Sequence, residues 1–271
     1  MEQLKKRFQK YIKKVWKAFN KKEMRVLPGN VAFFFVLALI PIITITAFIA
    51  SYFSISIDML IGWIDNFLPK EASKIVVDAI SGKGFDTSVG TFNVIAFFVA
   101  TNGTYAVINA SNTLYDIKDS DQLRDRVKST ILLIILVFLI VFLILVPVLG
   151  GKIISLFKNT YFTTQIYIIY KISKWPITFF LIFVTLKLIY TIAPNKRIKS
   201  SSTTMGALFT TFCWIIATAI FSYYLEYFAH YNIIYGNLSS MIILMMWIYI
   251  ISYVLVLGMA INAVNLNDKN K

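Results

Sequence analysis

The sequence predicts an all-α fold: a polytopic membrane protein, a bundle of about six transmembrane helices with short amphipathic interfacial helices and both termini cytoplasmic. Three observations predict it. Of the 271 residues 58% are hydrophobic and 16% aromatic, with a mean hydropathy of +0.71, outside the range of ordinary soluble domains. Six stretches approach or exceed the roughly 20 apolar residues needed to cross a hydrocarbon core about 30 Å thick. None alternates with period two, which argues against a β-barrel.

Residues 1–25 read as a basic amphipathic helix at the membrane surface, residues 26–266 as the transmembrane domain and 267–271 as a cytoplasmic tail. In the first segment Leu4, Phe8, Tyr11, Ile12, Val15 and Phe19 recur at helical spacing with lysines on the opposite face. That pattern assigns Lys10, Lys13, Lys14 and Lys17 to the headgroups of anionic phospholipids in the cytoplasmic leaflet. The first apolar run begins only at Val31, is too long for a signal-peptide core and has no small-residue cleavage site after it, so it is read as a retained anchor.

The six spans are placed at 31–53, 91–112, 129–149, 175–193, 204–228 and 238–264. With the N-terminus inside, nineteen Lys and Arg fall on the cytoplasmic side and seven on the other, as the positive-inside rule requires. Lys187 lies within the fourth span but near enough to its inner end for its stem to snorkel to the headgroups. Between spans one and two, Ile57, Leu60, Ile61, Ile64 and Phe67 repeat at helical spacing before Pro69, and a second short amphipathic helix is expected over 71–80. Pro41 and Pro147 mark expected kinks.

A net charge of +14 raises nucleic acid as a partner, but basic flanks of apolar spans account for it, and no zinc-finger spacing or phosphate loop occurs. No nucleic-acid partner is expected. Enzyme chemistry lacks the residues: the only histidine, His230, falls in an outer loop, the only cysteine, Cys213, sits among apolar neighbours, and Glu226 stands alone near an outer end. No metal or cofactor is expected.

The second span breaks the apolar rule. At 100° per residue Asn102, Tyr105, Asn109 and Asn112 share one side within about 80°, and Gly103 removes bulk beside them. The stripe is expected to run from the midplane at Asn102 to the cytoplasmic end at Asn112. Span six offers a comparable face in Trp247, Ile251, Gly258, Asn262 and Asn265, so spans two and six are expected to share a polar site near the inner leaflet. Amides in hydrocarbon must be hydrogen-bonded. Either they join helices, each bond contributing about 0.6 kcal/mol, or they line a path for a substrate headgroup.

The residues resemble the YihY/BrkB family of six-span bacterial membrane proteins, formerly labelled ribonuclease BN-like. The resemblance lies in NVAFFFVLALIP, in TNG and ASNTLY of span two, in APNKRI after span four, in MGAL with Trp214, and in IYGNLSS, MMWIY and LGMAINA. It implies an integral protein of the bacterial plasma membrane, often called a transporter, whose activity is not well defined. Many relatives carry an acid where this chain has Ala260 and a basic residue where it has Asn102, so no ion-pair mechanism through those positions is carried over. The readings are a transporter or lipid translocase, a non-transporting envelope scaffold, and a membrane ribonuclease as in the old family label.

Overall fold

A computed structural model describes residues 2–52, 90–117, 121–156, 163–227 and 235–267, with single residues or pairs between 58 and 77 and Tyr231. The described residues form seven α-helices: α1 (Glu2–Phe19), α2 (Leu27–Tyr52), α3 (Gly90–Leu114), α4 (Gln122–Leu156), α5 (Thr163–Ile192), α6 (Ser200–Tyr227) and α7 (Ser239–Asn267). The described residues of all six predicted spans are α-helical apart from Ala193 and Leu238 at the ends of two of them. Three of them, Trp175–Ile192, Ser200–Tyr227 and Ser239–Leu266, are long and apolar enough to cross a membrane among the described residues, and Leu27–Ile43 is a shorter apolar stretch. The short helices expected over 57–67 and 71–80, and His230, fall mostly outside the described residues.

Helix α5 begins twelve residues before the predicted span and runs through Pro176. The apolar run marks only the hydrocarbon-long part of a helix, and the preceding stretch, with Gln165 and Ser173, is too polar to be counted in it. Helix α4 likewise extends about seven residues beyond the predicted span at each end.

Helices α2 to α7 pack each on the next in chain order, and α7 closes back on α2. Large apolar side chains such as Phe33, Phe98, Phe142, Phe180 and Ile220 point outward, the arrangement of a protein whose surroundings are as apolar as its side chains. Between helices in such surroundings there is little hydrophobic drive, so close approach and hydrogen bonds carry the association. Gly103 allows one such approach: a Cβ there would lie 3.0 Å from Ala38 of α2.

The basic segments converge on one end of the ring, called here the basic end. The Lys21 ammonium donates to the Leu114 carbonyl at the end of α3 (3.0 Å), where a cation suits the exposed carbonyls of a helix C-terminus. Asp116, in the left-handed region at φ 55°, stops α3, and the Ile117 N–H folds back to the Asn112 carbonyl (2.9 Å). At the same end every residue of α7 from Leu255 to Asn265 is buried, because α1 packs across it in addition to its ring neighbours.

Helix α1 is turned differently from its predicted amphipathic face. Tyr11, Lys14, Val15 and Ala18 meet the bundle, whereas Ile12 and Trp16 (69% exposed) point outward; Phe19, stacked on Trp16 at 6.3 Å, is half-exposed with its ring 6.2 Å from that of Tyr253 on α7. The apolar arc is wider than one contact face, so the bundle takes one edge of it. Lys14 lies on that edge. It is 9% exposed and its Nζ donates to Asn265 Oδ1 of α7 (2.6 Å), which corrects its assignment to lipid headgroups. Lys13 and Lys17 are exposed as expected. Lys14→Ala should cost about 1–2 kcal/mol by leaving the Asn265 amide oxygen buried without this donor, read as faster proteolysis within residues 2–19.

Candidate functional site

The predicted polar faces of α3 and α7 do not meet in one site. Each helix has the polar stripe its sequence requires, but the azimuth of a stripe does not say which neighbour it faces. The apolar face of α3, with Ala106, Val107 and Ala110, packs in the main core with α7. Its polar face turns toward α4 and outward.

On α7 the polar residues serve the junction with α6 and α1. Asn262 Oδ1 accepts from the Gly206 N–H (2.8 Å), and Asn265 accepts from Lys14. Gly258 lies against α6: a Cβ on it would overlap the Thr210 hydroxyl and the Tyr190 phenol oxygen, and a Cβ on Gly206 would overlap the Gly258 carbonyl. Around this crossing the Tyr190 hydroxyl donates to the Leu255 carbonyl (2.8 Å) and shares a hydrogen bond with Thr210 (2.7 Å). Trp247 sits higher, between the α2 and α6 sides, its indole N–H buried without a partner among the described residues. Ala260 is fully buried.

At the basic end α3, α4 and the α5–α6 connection are tied by a polar knot around Asn195. Asn112 Oδ1 accepts from the Asn195 backbone N–H (2.9 Å), Asn195 Nδ2 donates to Asp125 Oδ1 (2.6 Å), and Lys128 Nζ donates to both Asn195 Oδ1 (2.8 Å) and the Pro194 carbonyl (2.7 Å). Asp125 is 0% exposed. Its Oδ2 and Asn112 Nδ2 have no partner among the described residues. Lys128 precedes the apolar run of α4, and its ammonium is held below the usual lysine range by burial first and by Arg124 second, against an opposite pull from Asp125. Burial pushes the nearby Tyr115 phenol upward, so it stays neutral.

The rest of the α3 stripe borders a groove. Arg126 Nη1 donates to Asn102 Oδ1 (2.8 Å), and the same guanidinium sits 4.5 Å from the centroid of the Tyr105 ring, a cation–π distance. One stripe residue fixes the guanidinium in its plane and the other supports its face. The groove, of about 400 Å³, has Asn102, Thr101, Arg126 and Thr130 on its polar side and Phe97, Phe98 and Val99 on its apolar side. Asn109 is exposed nearer the basic end.

Two expectations change here. Arg126 precedes the apolar run of α4, and Thr104 donates to the Ser129 carbonyl at the start of that run (2.7 Å), so Asn102 lies toward the basic end and not at mid-depth. Nor are the surroundings of Asn102 uncharged: the Arg126 guanidinium of α4 lies against it. Arg126 and Asp125 were missed because both precede the apolar run, where the sequence offers only a basic loop. A carboxylate flanked by Arg124 and Arg126 was the signal available. Lys187 is half-buried, its ammonium 6.0 Å from the Phe183 ring. Glu226 is exposed, and Cys213 is a half-buried free thiol.

The sequence profile of the family described as "Virulence factor BrkB" matches residues 15–271. The ribonuclease-like protein YfkH of Bacillus subtilis (strain 168) is 28% identical over 259 residues, covering 93% of this chain and 94% of that protein. A UPF0761 membrane protein of Cronobacter sakazakii (strain ATCC BAA-894) is 24% identical over 269 residues, 96% and 90% of the two chains. A UPF0761 membrane protein of Coxiella burnetii (strain RSA 493 / Nine Mile phase I) is 30% identical over 129 residues, 44% of this chain and 45% of that one. No solved structure matches the chain. With outward apolar helices and a profile match over nearly its whole length, the chain is a membrane protein and belongs to the BrkB family.

Proposed function

We propose that the chain is a six-span plasma-membrane transporter or lipid translocase, its basic end cytoplasmic, that moves an amphiphile or small polar solute along the polar face of α3. The observation that carries this reading is the Arg126–Asn102–Tyr105 assembly bordering a groove with an apolar wall. A polar solute path needs donors and acceptors that helix packing does not use, and the Arg126 N–H groups beyond the one given to Asn102, with the exposed Asn109 amide, support that reading. No phosphate loop occurs in the sequence, so transport is passive or driven by a gradient. Helix α1 anchors the basic end at the leaflet through Ile12, Trp16 and Phe19, with Lys13 and Lys17 toward anionic headgroups.

Asn102→Leu with Asn109→Leu tests it. In vesicles holding the purified protein and a fluorescent lipid, flux should fall at least tenfold while the variant stays folded. Undiminished flux sinks the proposal.

A non-transporting scaffold is the second reading, favoured by the use of Asn112, Asn262 and Asn265 as bonds between segments. It predicts that any activity follows the amount of folded protein. The name of YfkH invites a ribonuclease, but among the described residues no three His, Cys, Asp or Glu side chains converge, and we expect no RNA cleavage by the purified chain.

A further inference from the structure

We infer that the α3–α4 groove is a binding site for one anionic phospholipid, with Arg126 as the ligand of its phosphodiester. The inference deepens the transport reading by naming the substrate class, and it rests on that reading for calling the lipid a substrate.

The argument begins with the unused capacity of Arg126. A guanidinium carries five N–H donors, and only one is given to Asn102. Among the described residues no carboxylate forms an ion pair with it, and Asp125, its chain neighbour, is buried and turned to Asn195. The side chain is exposed, yet the Asn102 bond and the Tyr105 ring restrain it, so little freedom is left to lose when it grips a bidentate oxyanion.

Polarity then runs in the direction an amphiphile requires. Helices α3 and α4 are antiparallel here, so Phe97 and Phe98 on α3 and Thr130 on α4 all lie away from the basic end relative to Arg126. Phe98 is 67% exposed, and Ile95, Ile131 and Ile134 continue the apolar surface in the same direction. A headgroup at Arg126 therefore places its acyl chains along side chains that already face hydrocarbon. The volume of about 400 Å³ falls within the roughly 300–1,000 Å³ of ligand sites.

Charge selects among lipids. Arg126 is the only charged residue lining the groove, with no carboxylate among the lining residues to take an ammonium, so a headgroup bearing an ammonium is disfavoured next to one carrying only a phosphodiester and hydroxyls. The exposed Asn109 amide lies nearer the basic end, on the headgroup side.

The test is binding of dioleoylphosphatidylglycerol to the purified full chain in detergent, read by native mass spectrometry and by the lipid-dependent rise in unfolding temperature. One lipid should bind saturably and at least tenfold more tightly than dioleoylphosphatidylcholine. Arg126→Gln and the groove-filling Thr130→Trp should each weaken it at least tenfold, whereas Lys199→Gln, an equal loss of charge elsewhere on the basic end, should not. Equal binding of the two lipids overturns the inference, as does wild-type affinity in both groove variants. Competition by glycerol phosphate as effective as by the lipid also overturns it, in favour of a soluble-anion site. Selective, Arg126-dependent binding without flux of that lipid in vesicles would sink the transport reading and leave the site standing. Flux of that lipid in vesicles without selective, Arg126-dependent binding would overturn the site and leave transport by another route standing.

Discussion

Gly258→Ala and Gly206→Ala each destabilise the bundle by about 1–3 kcal/mol, and Gly258→Leu prevents recovery of folded protein. At Gly258 the added carbon collides with two hydroxyls that cannot easily retreat: Tyr190 is anchored on the Leu255 carbonyl and Thr210 on Tyr190. At Gly206 the obstacle is the backbone of α7 itself, so relief requires the helices to part. Parting them breaks the Gly206 to Asn262 bond as well. Thermal unfolding in detergent measures the loss. Combining Gly258→Ala with Thr210→Ala should recover part of it, because contacting sites do not add, and an unchanged unfolding temperature in Gly258→Ala would refute so close a crossing.

Asn195→Ala should be as damaging, at about 3 kcal/mol, because this one side chain holds both Asp125 and Lys128 of α4 to the α5–α6 connection, leaving only the backbone bond to Asn112 of α3. Its loss leaves Asp125 buried without its donor and takes one of the two acceptors from Lys128, and an unpartnered buried polar group costs about 1–3 kcal/mol, more when charged. The α5–α6 connection, residues 193–199, should then become open to protease at a rate the native protein does not show. Asn195→Asp should not restore stability, since a second carboxylate would face Asp125. Wild-type protease resistance in Asn195→Ala would show that the knot is incidental.

These two regions show what the sequence could and could not disclose. Apolar length located all six bundle helices, and three of them are long and apolar enough to cross a membrane among the described residues, because a run of about 20 apolar residues is not a local accident. The stripe on α3 was legible too, since Asn102, Tyr105, Asn109 and Asn112 must share an azimuth on any helix. Its destination was not legible. Asn112 went to the backbone of Asn195 and Asn102 to Arg126, while the similar residues of α7 went to α6 and α1.

Gly206 was within reach, as Ser202, Gly206 and Thr210 recur every four residues on α6, a small-residue pattern of closely packed helices. Lys14 was misassigned because lysine on an amphipathic helix is normally solvated, and only the tertiary partner Asn265 reveals the exception. Asp125 could be seen as an acid but not as a buried one, since burial there arises from three chain segments meeting.

The most direct test is an electron cryomicroscopy structure of the full chain in nanodiscs containing phosphatidylglycerol. The account predicts a phosphate-strength peak within hydrogen-bonding distance of the Arg126 guanidinium, with acyl density descending past Phe98. A groove closed by protein side chains, or lipid density as strong at every other helix junction as at α3–α4, would contradict it.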